Sequence, residues 1–136
     1  MILIINTVPR DHFSILLARK AGEFKLKKVA GNFHQAEKLL PTIDALLKKE
    51  KLKLKDLRAI GVVVGPGGFT SVRVGVAVAN GLGYGLGLPI IGVRADAFTN
   101  EAELVARVFA DLKKSNQKKL VEPIYDREPN ITIAKK

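Results

Sequence analysis

The amino-acid sequence predicts an α/β domain, with a mixed sheet, a hairpin at one edge and helices on the faces of the sheet. Three observations lead there. Ile2–Ile5, Leu57–Val64 and Pro89–Val93 are short, nearly uninterrupted apolar runs, as expected of strands covered on both faces. Between the second and third lies one helix-length apolar segment, so strand, helix and strand follow in the order of a right-handed parallel crossover. Phe13–Ala18 and Glu23–Val29, joined around Arg19-Lys20-Ala21-Gly22, read as two strands with a reversal that glycine permits.

The remaining elements follow in order. Asn32 can cap a helix that runs to Lys49, with Ala36, Leu39, Leu40, Ile43, Leu46 and Leu47 at three- and four-residue spacing. Pro41 removes a backbone hydrogen bond inside it, and because the apolar stripe stays in phase across the proline, a kink is expected rather than a new start. Thr70–Leu86 reads as the crossover helix, stopped by glycine. A last helix is expected over Ala97–Leu112, with Leu104, Val105, Val108, Phe109 and Leu112 on one stripe. Beyond Lys114 the composition turns polar, and Val121–Arg127 is expected to be extended. The predicted organisation is one lobe over residues 1–114, followed by a basic, partly extended segment over 115–136.

Composition narrows the function classes. The chain has 136 residues, 47% of them hydrophobic, enough for one core and too few for two. It has no cysteine, which excludes disulfides, thiolate zinc sites and cysteine nucleophiles. No cationic stretch precedes the first apolar run, so no export signal is read and a cytoplasmic location is expected. Val74–Val93 is uncharged over a span long enough to cross a bilayer, but its glycines and Pro89 break it into helix, turn and strand, so no membrane span is expected. The formal net charge of +10 favours polyanionic partners or acidic protein surfaces. Lysines recur at Lys25, Lys27 and Lys28, from Lys48 to Lys55, and from Lys113 to Lys119, without aromatic residues between them for base stacking.

Gly65-Pro66-Gly67-Gly68-Phe69-Thr70-Ser71 lies between a buried strand and a helix. Its backbone N–H groups could hold an anion at the helix start, with Gly65, Gly67, Gly68 and Thr70 as the candidate loop. The loop lacks the Gly-Lys-Ser/Thr ending of a P-loop and does not match Gly-x-Gly-x-x-Gly, so a tight structural turn is the stronger interpretation of the motif alone. In the helix that follows, Ser71, Gly75, Ala79, Gly83 and Gly87 make a small-residue stripe, and Val74, Val78, Leu82 and Leu86 a bulky ridge beside it. Only Arg73, Asn80 and Tyr84 mark a polar edge. A helix apolar nearly all round must be covered on two sides, either by the lysine-rich helix of the same chain or by a partner helix.

At this point the residues resemble a known family. His34–Asp44, Leu54–Ile60 and the run Gly65-Pro66-Gly67-Gly68-Phe69-Thr70-Ser71-Val72-Arg73-Val74-Gly75 are similar to the TsaB family, also called YeaZ. Pro89–Val93 and Pro123-Ile124-Tyr125-Asp126-Arg127 resemble its following strand and its C-terminal Pro-x-Tyr-x-Arg. The resemblance covers Met1 to about Ala97 and then only the last segment, as in a shortened form lacking most of the second lobe. It implies a single actin/Hsp70-like lobe of ribonuclease-H type. It also implies a non-catalytic role in tRNA threonylcarbamoyladenosine modification, as partner of a TsaD-like catalytic subunit, with a TsaE-like ATPase as third member and tRNA met through the complex. The expected docking surface, for that partner or for a second copy of the chain, is Leu39, Leu40, Ile43, Leu46, Leu47, Val72, Gly75, Val76, Ala79 and Gly83.

One departure matters for chemistry. The family usually opens on Asp-Thr-Ser after its first strand, and Asn6-Thr7-Val8 stands here; an amide is a weaker magnesium ligand than a carboxylate. His12 and His34 are the only histidines, and Asp11, Asp44, Asp56 and Asp96 show no pairing or metal-ligand spacing, so no catalytic residue, metal or cofactor is assigned. A nucleotide-binding enzyme using the glycine loop and a charge-driven RNA-binding module are the competing functions.

Overall fold

The computed structural model describes residues 1–31, 35–114 and 119–125. Their elements are strands β1 (Ile2–Asn6), β2 (His12–Lys20) and β3 (Glu23–Ala30), helix α1 (Gln35–Lys49), strand β4 (Ala59–Gly65), helix α2 (Phe69–Leu86), strand β5 (Ile90–Arg94) and helix α3 (Glu101–Lys114). Short 3₁₀ turns at Leu54–Asp56 and Ala95–Ala97 connect them.

The five strands form one sheet in the order β3-β2-β1-β4-β5. β1 pairs antiparallel with β2 and parallel with β4, and β4 pairs parallel with β5, so the hairpin and the crossover meet at β1. Alternation along the strands divides the core between two faces. Leu3, Ile5, Ile15, Leu17, Ile60 and Val62 meet α1 and α2 on one side. Ile2, Ile4, Leu16, Val63, Ile91 and Val93 meet Leu104, Val105 and Val108 of α3 on the other. This placement of Ile2–Ile5, the strand before the glycine loop and the strand after it in a single sheet agrees with the order of apolar runs.

One helix start differs from expectation. α3 begins at Glu101 rather than Ala97, because Asn100 Oδ1 accepts the Glu103 N–H at 2.9 Å while the Glu103 carboxylate accepts the Thr99 N–H and Oγ1–H at 2.8 and 2.9 Å. These groups satisfy donors that a helix start leaves open. The proposed cap Asn32 lies outside the described residues, and α1 is helical from Gln35 straight through Pro41. At its other end α2 stops where Gly87 takes φ 68°, and the Leu88 N–H returns to the Gly83 carbonyl at 2.8 Å.

Candidate functional site

Helix α2 carries the site, and its packing decides which residues a partner can reach. Val72, Gly75, Val76, Ala79 and Gly83 all face the sheet and are buried in the chain's own core. The reason is steric. A Cβ on Gly75 would collide with Thr7 Oγ1 and lie 3.2 Å from its Cγ2, and a Cβ on Gly83 would collide with Ile90 Cγ1. The small stripe therefore serves close contact with β1 and β5. Thr7, fully buried, uses that proximity to donate its Oγ1–H to the Ser71 carbonyl at 2.6 Å.

The same holds on α1. Leu39, Ile43, Leu46 and Leu47 are at most 7% exposed and belong to the core they share with α2 and the sheet, so the expected docking surface is corrected at these positions. Among its residues only Leu40, at 50% exposure, reaches solvent.

What the sequence pattern concealed is a second small stripe on the opposite face of α2. Ala77, Gly81 and Gly85 are exposed, and a Cβ on Gly81 or Gly85 would meet nothing within 4 Å. Val74, Val78 and Leu82 lie beside this stripe, partly buried against the core. Tyr84, 82% exposed, flanks it on the other side. Glycine in a helix interior costs roughly 0.5–1 kcal/mol relative to alanine, and nothing among the described residues requires it at these two positions. The signal was present in the four-residue spacing, but two interleaved small stripes cannot be told apart until the burial of the helix is known.

The glycine loop is occupied by the chain itself. Asn80 of α2 holds Val121 through paired hydrogen bonds, Nδ2 donating to the Val121 carbonyl and Oδ1 accepting its N–H, each at 2.9 Å. From there the segment rises past Gly92, the Ile124 N–H donates to the Val64 carbonyl at 2.7 Å, and Gly67 bridges to Tyr125. Gly65 has φ 109°, and a Cβ there would collide with the Ile124 carbonyl. Gly65 and Gly67 are thus buried beneath the strap, while Gly68 and Thr70 remain exposed at the start of α2. The Tyr125 ring packs 4.5 Å from Phe69, and the Arg73 guanidinium lies 4.9 Å from the Phe69 centroid. Replacing Asn80 by alanine removes both bonds to Val121, about 1–3 kcal/mol together. Faster amide exchange and earlier proteolysis at Val121–Tyr125 are expected, with the five strands still protected; unchanged protection there would show that Asn80 does not hold the strap.

The loop's surroundings supply little for catalysis. Asn6 Oδ1 accepts the Val8 N–H at 3.1 Å, which turns this amide onto its own backbone. Hydrogen bonds hold several carboxylates below their usual range: Asp11 from His12, Asp96 from Arg94, and Glu103 from the Thr99 backbone. Among the described residues no group of His, Asp and Glu side chains could hold a metal ion, and no helix is long and apolar enough to cross a membrane.

A single five-stranded lobe of this order, with helices on both faces and a glycine loop leading into α2, is consistent with the first lobe of an actin-like fold. A family model described as TsaD, tRNA N6-adenosine threonylcarbamoyltransferase, matches residues 28–107. Over 93 residues the chain is 34% identical to the tRNA threonylcarbamoyladenosine biosynthesis protein TsaB of Buchnera aphidicola subsp. Schizaphis graminum, which covers 68% of this chain and 43% of that relative. It is 39% identical over 94 residues to the tRNA N6-adenosine threonylcarbamoyltransferase of Paracoccus denitrificans, covering 63% of this chain and 26% of that one. The solved structure of YeaZ from Pseudomonas aeruginosa superposes with a TM-score of 0.64 at 30% identity, covering 71% of this chain and 45% of that one. The chain belongs to this family, on its TsaB (YeaZ) side. It spans less than half the length of these relatives.

Proposed function

We propose that this chain is a non-catalytic partner subunit in tRNA N6-threonylcarbamoyladenosine modification, docking a TsaD-like catalytic subunit on the outer faces of α1 and α2. The observation that carries this is the open stripe Ala77, Gly81 and Gly85, flanked by Val74, Val78 and Leu82, with Leu40 half exposed on α1. Two interior glycines with none of the described residues packed over them suit the close approach of another helix. The strap over Gly65 and Gly67 and the self-bonded Asn6 amide favour a subunit without turnover of its own over a nucleotide-binding enzyme. A TsaE-like ATPase and tRNA join through the complex, in the cytoplasm, and in the absence of the catalytic subunit the same faces pair two copies.

Gly81→Glu tests the docking surface. The new side chain enters open space, so the lobe keeps its fold, whereas docking must strip water from the carboxylate at a cost of about 2 kcal/mol or more. Binding to a TsaD-like subunit should weaken by about thirtyfold or more, read by calorimetry or light scattering. Ala110→Glu on the exposed face of α3 should leave it within about twofold. Unaltered binding by Gly81→Glu would move the interface elsewhere.

A further inference from the structure

Strand direction and helix return place the C-terminal ends of α1, α2 and α3 at one end of the sheet, where β1, β3, β4 and β5 begin. The opposite end holds the glycine loop. We infer that the end opposite the glycine loop, centred on Lys49, Lys51, Lys53 and Lys55 and extended by Lys25 and Arg58, is a surface for the phosphate backbone of RNA. The choice of RNA among polyanions rests on the tRNA-modification role proposed above, while the surface itself rests on geometry.

The cations adjoin one another. Lys48, Lys51 and Lys53 line one shallow groove with Asp44, and Lys25 and Arg19 line another with Glu23 and Glu50. Arg58 follows, its N–H donating to the Met1 carbonyl at 2.9 Å and its guanidinium 5.6 Å from the Phe109 ring centroid. The Met1 ammonium is held below its ordinary range, first by burial and then by Arg58 and Arg19, with Asp56 acting in the opposite sense.

Fewer carboxylates than cations lie at this end, and Glu50, between Lys49 and Lys51 in the chain, is one of them. Asp44 is paired with Lys48 at 3.0 Å, Glu23 with Arg19 at 3.0 Å, and Asp56 accepts the Lys53 backbone N–H at 2.8 Å. The helix ends contribute roughly half a negative charge each, which Lys48, Lys49, Lys113 and Lys114 in the last turns already offset. Among the described residues Lys49, Lys51, Lys53 and Lys55 form no ion pair. At the glycine-loop end, by contrast, Arg94 is bound to Asp96 at 2.9 Å and Asp11 to His12 at 2.8 Å.

The test uses the full chain alone with an unmodified tRNA transcript, followed by fluorescence anisotropy from 50 to 200 mM salt. Affinity should fall steeply with salt, and the variant with Lys49, Lys51, Lys53 and Lys55 all changed to Ala should bind at least about tenfold more weakly, its log–log salt slope smaller by about 3–4. Arg94→Ala with Arg107→Ala removes two cations elsewhere and should change binding less than about threefold. The quadruple variant should still bind a TsaD-like subunit within about twofold, which separates this surface from the docking surface. Equal binding by the quadruple variant with its melting transition intact, equal loss in the Arg94/Arg107 control, or tighter binding to anionic phospholipid vesicles than to tRNA would each overturn the proposal.

Discussion

Val76→Glu will prevent the lobe from folding. Val76 is 3% exposed, on the face of α2 pressed against the sheet, in one cluster with Leu39, Ile43, Ile60 and Val62. A carboxylate there loses the apolar burial of valine, about 1.5–3 kcal/mol, and adds the effective cost of burying an unpaired charge, several kcal/mol more. The sum is comparable with the whole stability of a small domain, roughly 5–15 kcal/mol. Expression in inclusion bodies, or a far-UV spectrum without a cooperative thermal transition, is expected. Ile43→Glu should behave alike for the same reason, whereas Gly81→Glu should melt near the wild type. A wild-type transition for Val76→Glu would mean that α2 is turned the other way.

The second large effect is expected at Gly83. Any Cβ there enters the space of Ile90 Cγ1 and Cδ1, and lies 3.4 Å from the Leu88 carbonyl. Ile90 is itself 5% exposed and held between β4 and α2, so it can give way only by opening the junction. Gly83→Val should destabilise by about 3 kcal/mol or more, a fall of several degrees up to about 20 °C in melting temperature for a domain of this size. Gly81→Ala, two residues away on the open face, should instead raise stability by about 0.5–1 kcal/mol. Parallel scans of the two alanine and valine series at both glycines check this. Equal destabilisation at both positions would mean that the two stripes do not differ in burial.

Much of this architecture could be read from apolar spacing. The strands at Ile2–Ile5 and Leu57–Val64 stood out because both of their faces are buried, which leaves no polar alternation to confuse them. The start of α3 did not stand out, although Asn100 and Glu103 carry the capping pattern, because Ala97 and Phe98 extended the apolar composition backward into a 3₁₀ turn. The docking residues were misjudged for a different reason. Leu39, Ile43 and Val76 are apolar whether a face meets its own sheet or another protein, and spacing alone cannot say which. The strap was legible only as an extended segment, since the seat that receives it is made by Asn80, Gly65 and Gly92, residues far from it in sequence.

That seat has a consequence for the order in which the molecule is completed. Residues are synthesised at roughly 5–20 per second and domains consolidate as they emerge; by the time Lys114 has left the ribosome, the described strands and helices are all present. Asn80 then still faces water, and the groove beside Gly92 is uncovered until Val121 arrives. A nascent chain stalled at Lys114 should therefore hold its hydrogen-bonded sheet yet exchange the amides around Val64 and Gly67 faster than the chain carrying Val121–Tyr125, with the strap acting as a latch on a lobe already assembled.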